Sequence, residues 1–491
     1  MRVFSIGDST VQGFMSLAAA RTQQCFSALV QRQLAPRAPY LLPEWPLGGH
    51  PLDLEIVLRE LDQRFGPDIR GFIEWPRAFV SVTDYMDKVE DYYERGAGAA
   101  DLPTPGGVQF FHNVAVRGFE VADAWLVTPA LCRQFIAKSK PRRDDALAVP
   151  SESFHRTALR VLNPSCSPAF DQFSALDWLA HHARAEGVEN TLLWLGSNNA
   201  LGVVLDLVAR RTPNDPARRP VSMTHRERVD ARYNLWHPDD FHAEYAALLE
   251  RVSAAHEQNA YADWKVFVGT VPFVTIAPLA KGVGATTLAS SSEPNIDGKV
   301  YFKYYTYFPF EEEDIDQGAP KLRLHEALQI DEFIARYNRS IRALVEQQNR
   351  ALGKPRYFIV DIEKILADLA WKRNGGSPLY RLPPYLDDLV PRPNTLFYHG
   401  RKDGSLESGG IFSLDGVHAT PIGQGLLALE FLKVMQAAGV AGADPGALDW
   451  PSIVKSDSLY QKPLRIMSEF RENKDLIQWA LQLFRLVAGK G

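Results

Sequence analysis

The chain is poor in cysteine. Cys25, Cys132 and Cys166 are the only three in 491 residues, widely scattered and without a Cys-x-x-Cys pair. That argues against a disulfide framework, leaving one bridge at most, and against a thiolate metal site. No apolar run approaches the roughly 20 residues that cross a bilayer, so no integral membrane segment is predicted. Basic residues are not in excess either: the net charge is −5, which gives no reason to expect nucleic acid or an anionic membrane surface as partner. Gly-x-Gly-x-x-Gly and Walker-type phosphate loops are missing, as are His-Glu-x-x-His and the Gly-x-Ser-x-Gly elbow. Internal repeats are absent.

What is present is enough apolar material, 46% hydrophobic and 11% aromatic, for one large core or two ordinary ones. Short apolar runs read as buried strands at Arg2–Ile6, Thr191–Leu195, Lys265–Val271 (stopped by Pro272) and Tyr357–Ile362. Amphipathic stretches between them predict helices from Phe14 to about Leu34, over Ala175–Glu186 and around Gln329–Leu352. In the last, Ile330, Phe333, Ile334, Tyr337, Ile341, Leu344 and Val345 share a stripe. This alternation predicts an α/β protein with a mostly parallel central sheet. Three stretches interrupt it, at about 36–110, 205–240 and 280–325, and read as insertions in one domain over 1–440. Residues 441–491 read as a C-terminal helical extension packed on that domain, closing with an apolar helix over Asp475–Ala488.

The chemistry sits at strand ends, where loops of an open α/β sheet converge. Gly7-Asp8-Ser9 follows the first strand, Asn113-Val114-Ala115-Val116-Arg117-Gly118 precedes a helical stretch, Gly196-Ser197-Asn198-Asn199 follows the Thr191 strand, and Asp415-Gly416-Val417-His418 lies beyond the last. A serine hydroxyl is a poor nucleophile until an imidazole takes its proton, and an Asp orients that imidazole. Ser9, His418 and Asp415 are therefore the candidate nucleophile, base and orienter.

Taken in order, these four blocks resemble the SGNH (GDSL-type) serine hydrolases. Gly7-Asp8-Ser9 matches the first block, with Thr10 where Leu is common. Asn113, Ala115 and Gly118 match Asn-x-Ala-x-x-Gly. Gly196 and Asn198 match Gly-x-Asn-Asp, with Asn199 in place of the Asp. Asp415 and His418 match Asp-x-x-His. The resemblance covers the core elements, about half of the chain. It implies a three-layer αβα, flavodoxin-like sandwich and a serine esterase or lipase acting through an acyl-enzyme on Ser9. The backbone N–H groups of Ser9 and Gly118 and the Asn198 side chain would form the oxyanion hole, with no metal or organic cofactor. The alternatives are an acyltransferase using the same three residues, or a catalytically silent binding protein of the same fold.

Each of these residues also has a blander reading. Ser9 could be a helix cap, Asp415 a turn cap, and Asn198 and Gly118 loop residues; the joint pattern favours the site. The aromatic run at 301–310 reads as a hairpin packed on the core rather than a substrate wall. The arginines at 210–228 read as a solvated loop face, and His181-His182 as surface rather than metal ligands. The insertions suggest a partly covered site for a small-molecule ester larger than an acetate. With six residues ahead of Gly7, a leader has no room, which predicts a cytoplasmic protein, or a periplasmic or secreted one if a leader has been removed. The oligomeric state stays open, a homodimer or a membrane-surface contact through the final helix being the minority reading.

Overall fold

The computed structural model describes residues 1–69, 71–139 and 149–472. Its longer strands are β1 (Val3–Gly7), β2 (Asn190–Trp194), β3 (Lys265–Gly269), β4 (Ala280–Leu288), β5 (Val300–Tyr307) and β6 (Tyr357–Val360). Four of them form one parallel sheet in the order β1-β2-β3-β6, in a register that pairs Phe4 with Thr191, Thr191 with Val266, and Val266 with Tyr357. The outer edge of β1 is not left bare. Ser5 N–H donates to His112 O (2.9 Å), while Val114 N–H and Val116 N–H donate to Ser5 O and Gly7 O (3.0 and 3.1 Å). Segment 112–116 thus runs alongside β1, in parallel at the Ser5–Asn113 bridge, and satisfies an edge that would otherwise invite aggregation.

Helices cover both faces, which is why the strands read as continuous apolar runs rather than alternating ones. The main ones are α1 (Phe26–Leu34), α2 (Ala175–Ala185), α3 (Asn198–Asp206), α4 (Pro238–His256), α5 (Leu324–Ala351) and α6 (Pro421–Ala437). Alternate side chains of each strand divide between two cores. Val3, Leu192, Trp194 and Phe267 share one with α1 and α6. Phe4, Ile6, Leu193, Val266 and Val268 share the other with α2, α4 and α5. The α5 stripe predicted from periodicity is buried as expected, although the helix starts five residues earlier, at Leu324.

The predicted helix from Phe14 to Leu34 is half wrong. Only Phe26–Leu34 is α-helical. Phe14–Met15 and Ala18–Ala19 pair as a small antiparallel hairpin, and Thr22–Gln24 forms a 3₁₀ turn. Gly13, Ser16 and Leu17 all have positive φ (85°, 51° and 68°), which a helix cannot accommodate. Residues 11–19 are buried on every side, so apolar spacing there carried no amphipathic information.

The stretch at 36–110 contributes helices Leu54–Phe65 and Gly71–Glu94, with Val57, Leu58, Leu61, Met86 and Tyr93 joining the α2/α4/α5 core. The aromatic run is a hairpin strand, as expected: β5 pairs antiparallel with β4 and buries Tyr301, Tyr305 and Tyr307. The C-terminal extension packs through Trp450, Ile453, Leu464 and Ile466, whereas the predicted helix Asp475–Ala488 lies outside the described residues. All three cysteines are free thiols. Among the described residues no helix is long and apolar enough to cross a membrane.

Candidate functional site

Residues 409 positions apart meet at the carboxyl end of the sheet. Gly7 ends β1 against a wall: a Cβ there would sit 2.2 Å from Val11 Cγ2 and 2.8 Å from Trp194 O, so only glycine lets the chain turn into the short helix Ser9–Gln12. Asp8 caps that helix by accepting from Thr10 N–H (3.0 Å). Ser9, at its first position, presents Oγ 2.8 Å from His418 Nε2. His418 Nδ1 lies 3.0 Å from Asp415 Oδ2. All three side chains are buried.

Asp415 is built to stay ionised. Burial works to raise its carboxyl, but the neighbouring His418 and the N–H groups of His418 (2.8 Å) and Val417 (2.9 Å) more than offset it and hold it below the usual carboxylate range. Leu17 N–H adds a donor at 3.2 Å. An ionised Asp415 can only accept, so Nδ1 of His418 carries a hydrogen and Nε2 is left to accept from Ser9. The misread hairpin matters here: it supplies the Leu17 donor, and its Phe14 ring packs edge-on against His418 at 4.8 Å. Sequence reasoning missed both, because a helix drawn through 14–34 hides them; the Gly13 turn was the available signal.

The other motif residues converge on the same place. Gly118 has φ +77°, and a Cβ there would press on the Phe154 ring at 3.3 Å. Its N–H has no acceptor among the described residues. The Ser9 N–H, in the first turn of its helix, has no partner one turn back. Asn198 opens α3 and spends one amide hydrogen on Phe119 O (2.9 Å), leaving the second free to donate. Asn199, the departure from Asp, accepts from Val121 N–H (3.2 Å) and so ties the Gly196 loop to the Gly118 loop. Asn113 braces the neighbouring turn by donating to Val11 O (2.7 Å) and accepting from Ala115 N–H (3.0 Å).

Two cavities flank this cluster. Ser9 and His418 line an apolar one of about 80 Å³, walled by Leu201, Phe273, Ile276, Leu366 and Leu427 among others. Gly118 and Asn198 line a hydrophilic one of about 530 Å³, with Glu120, Arg228 and Tyr233. Neither takes a wall from 36–110 or 280–325. Of the three predicted insertions the one at 205–240 supplies cover, walling the hydrophilic cavity from Leu205 to Asn234, while the apolar cavity is covered by the loop after β3, the helix after β6 and α6. Arg228 also departs from the solvated face expected of it: it is buried and donates to Glu244 (2.7 Å) and Glu120 (3.1 Å).

A second imidazole cluster borders the hydrophilic cavity through Glu152. Asp123 Oδ1 is 3.0 Å from His225 Nδ1, the Nε2 atoms of His225 and His155 are 3.2 Å apart, and His155 Nδ1 is 2.7 Å from Glu152. His182, expected at the surface, is buried and stacked on Trp178. Among the described residues no group of three or more His, Cys, Asp or Glu could hold a metal ion.

No protein-family model matches the chain, and neither the curated proteins nor the solved structures give a match.

Proposed function

We propose that the chain is a serine hydrolase of carboxylic esters of the SGNH type. The observation that carries this is the unbroken hydrogen-bonded line Asp415–His418–Ser9, its serine facing an apolar cavity. Ser9 Oγ attacks the ester carbonyl carbon as its proton passes to His418 Nε2. The carbonyl π electrons move onto oxygen, and the resulting oxyanion receives hydrogen bonds from Ser9 N–H, Gly118 N–H and the second amide hydrogen of Asn198. Collapse of the tetrahedral intermediate breaks the bond to the alcohol oxygen, which takes the proton from His418. Water, deprotonated by the same imidazole, then releases the acid and restores Ser9. No step asks for a metal or an organic cofactor.

The finer fold assignment belongs to the same proposal. Counting segment 112–116 as an edge strand, the spatial order is 2-1-3-4-5 in chain order, the order of flavodoxin-like sandwiches. A ligand site at the carboxyl end of such a sheet supports the reading.

Hydrolysis of p-nitrophenyl esters by wild type and Ser9→Ala tests it. We expect turnover in wild type and a loss of at least about 10⁴-fold in the variant, with melting temperature unchanged. Absence of turnover together with no labelling of Ser9 by a fluorophosphonate would discard the hydrolase reading.

A further inference from the structure

The apolar cavity at Ser9 ends on a wall that faces two ways. Of the residues around it, Leu369 and Tyr380 also line a second depression of about 530 Å³ on the far side, together with Trp371, Leu382 and Pro393. These two side chains are the partition between the inner cavity and the outer groove. Tyr380 is held in place rather than loosely packed. Its hydroxyl donates to Glu430 on α6 at 2.6 Å, Glu430 also binds Lys433 at 2.6 Å, and the Tyr380 N–H reaches Asp368 O at 3.2 Å. Burial, with the Glu430 charge adding to it, pushes the phenol far above its ordinary value, so it stays a neutral donor.

Resting on the hydrolase reading above, we propose that the inner cavity is the acyl-chain site, that the substrates are esters of short linear acids, up to about butanoate, and that Tyr380 with Leu369 sets the upper limit of chain length. The size argument is direct. A cavity of about 150 Å³ holds a benzene ring, roughly 25 Å³ per carbon, so 80 Å³ holds roughly three methylene-sized groups. The lining argument agrees: away from Ser9, His418 and the Asp8–Thr10 turn, Tyr380 and Ser197 are the polar residues in a wall otherwise of Leu, Ile, Val, Phe, Ala, Trp, Pro and Gly. An extended polar acid would lose its hydration there without replacement. Each methylene buried is worth about 0.8 kcal/mol, roughly a fourfold gain in binding, until the chain meets the partition. Beyond the partition lies a groove with apolar side chains along it, so trimming the wall joins two spaces and does not merely open a void.

The experiment is a chain-length series, p-nitrophenyl acetate to palmitate, with wild type, Tyr380→Ala, Tyr380→Phe and Leu369→Ala, all as the full chain. Wild type is expected to rise about 15-fold in kcat/KM from acetate to butanoate and fall at least tenfold by dodecanoate. Tyr380→Ala should raise the dodecanoate-to-butanoate ratio about tenfold or more, mainly through KM. Tyr380→Phe keeps the ring and should keep the wild-type profile. Leu369→Ala trims the other half of the wall and shifts the ratio the same way, which keeps the test decisive if Tyr380→Ala does not fold. Calorimetric binding of butanoate and dodecanoate to Ser9→Ala separates this inference from the reading it rests on. Butanoate binding without turnover by wild type would support the acyl site and remove the hydrolase reading. Turnover with a flat chain-length profile, or with the same profile in folded Tyr380→Ala and Leu369→Ala, would overturn the inference alone.

Discussion

Two buried imidazole clusters in this protein share one local geometry. In both, a carboxylate oxygen lies 3.0 Å from Nδ1 of a histidine: Asp415 with His418, and Asp123 with His225. They part at Nε2. That of His418 meets the Ser9 hydroxyl at 2.8 Å, beside a cavity. That of His225 meets Nε2 of His155 at 3.2 Å, with the ring centroids 5.4 Å apart, nearly end to end, so a single proton fits between them. Phe135 stacks on His155 at 4.0 Å and Phe154 on His225 at 5.8 Å. Burial, opposed by Glu152, pushes His155 down to about 4. On the proposed function, a carboxylate-oriented histidine becomes a reactive centre only through what accepts or donates at its second nitrogen: a serine hydroxyl at His418, another imidazole at His225.

Four substitutions test how deep that difference goes. The largest effect is expected at Asp415→Asn. The amide presents a hydrogen to Nδ1 and turns the imidazole to the wrong tautomer, so kcat should fall about 10⁴-fold with KM little changed. A loss below tenfold would mean Asp415 is no more an orienter than Asp123. Asn198→Ala comes next: removing one donor to the developing oxyanion should lower kcat by about 10²–10³-fold, again with little change in KM. An equal rise in KM would place Asn198 in ground-state binding instead.

Asp8→Asn probes a second contrast, between two buried aspartates near His418 whose carboxyls shift in opposite directions. Burial raises Asp8 to about 6, against the Thr10 N–H and the neighbouring His418 that oppose it, whereas Asp415 is lowered. A folded-state value above the unfolded 3.8 stabilises fully only below that lower value, and the contribution is lost as pH rises through about 6. Asparagine can still cap Thr10 and does not ionise. The unfolding free energy of Asp8→Asn relative to wild type should therefore improve between pH 4 and pH 8, by about 3 kcal/mol at most. A difference that stays flat across that range would show that Asp8 is ionised throughout. The smallest effect is expected at His225→Gln: ester turnover within about threefold of wild type, and a stability loss of about 1–3 kcal/mol from the buried groups left unpaired. A rate loss like that of Asp415→Asn would erase the distinction drawn between the two clusters.

The parts of the fold legible beforehand were those with a strong local period. The stripe of α5 and the apolar runs of β1, β2 and β3 could be read within a few residues, because burial on one face or on both leaves a regular mark. The hairpin over Phe14–Ala19 could not. Its residues are all buried, and its shape is set by the left-handed turns at Gly13, Ser16 and Leu17, of which only the glycine announces itself. Arg228 and His182 were misjudged for a related reason. Charge and polarity read as surface until partners distant in the chain, Glu120 and Glu244 for Arg228, Phe4 and Phe110 for His182, are brought to them.

Chemistry-bearing residues were readable as short motifs because each needs a fixed local turn: glycine where β1 ends, a positive φ at 118, a carboxylate three residues before an imidazole whose N–H it also accepts. Those requirements act over a few bonds, and the amino-acid order alone determines them. Everything that depends on distance through space was decided by the tertiary structure. The 2.8 Å between Ser9 and His418, the Leu17 amide on Asp415, the opposite shifts of Asp8 and Asp415, and the Tyr380 wall between two cavities all arise from segments up to 409 residues apart. No local period records which loops the folded sheet will bring together at its carboxyl end.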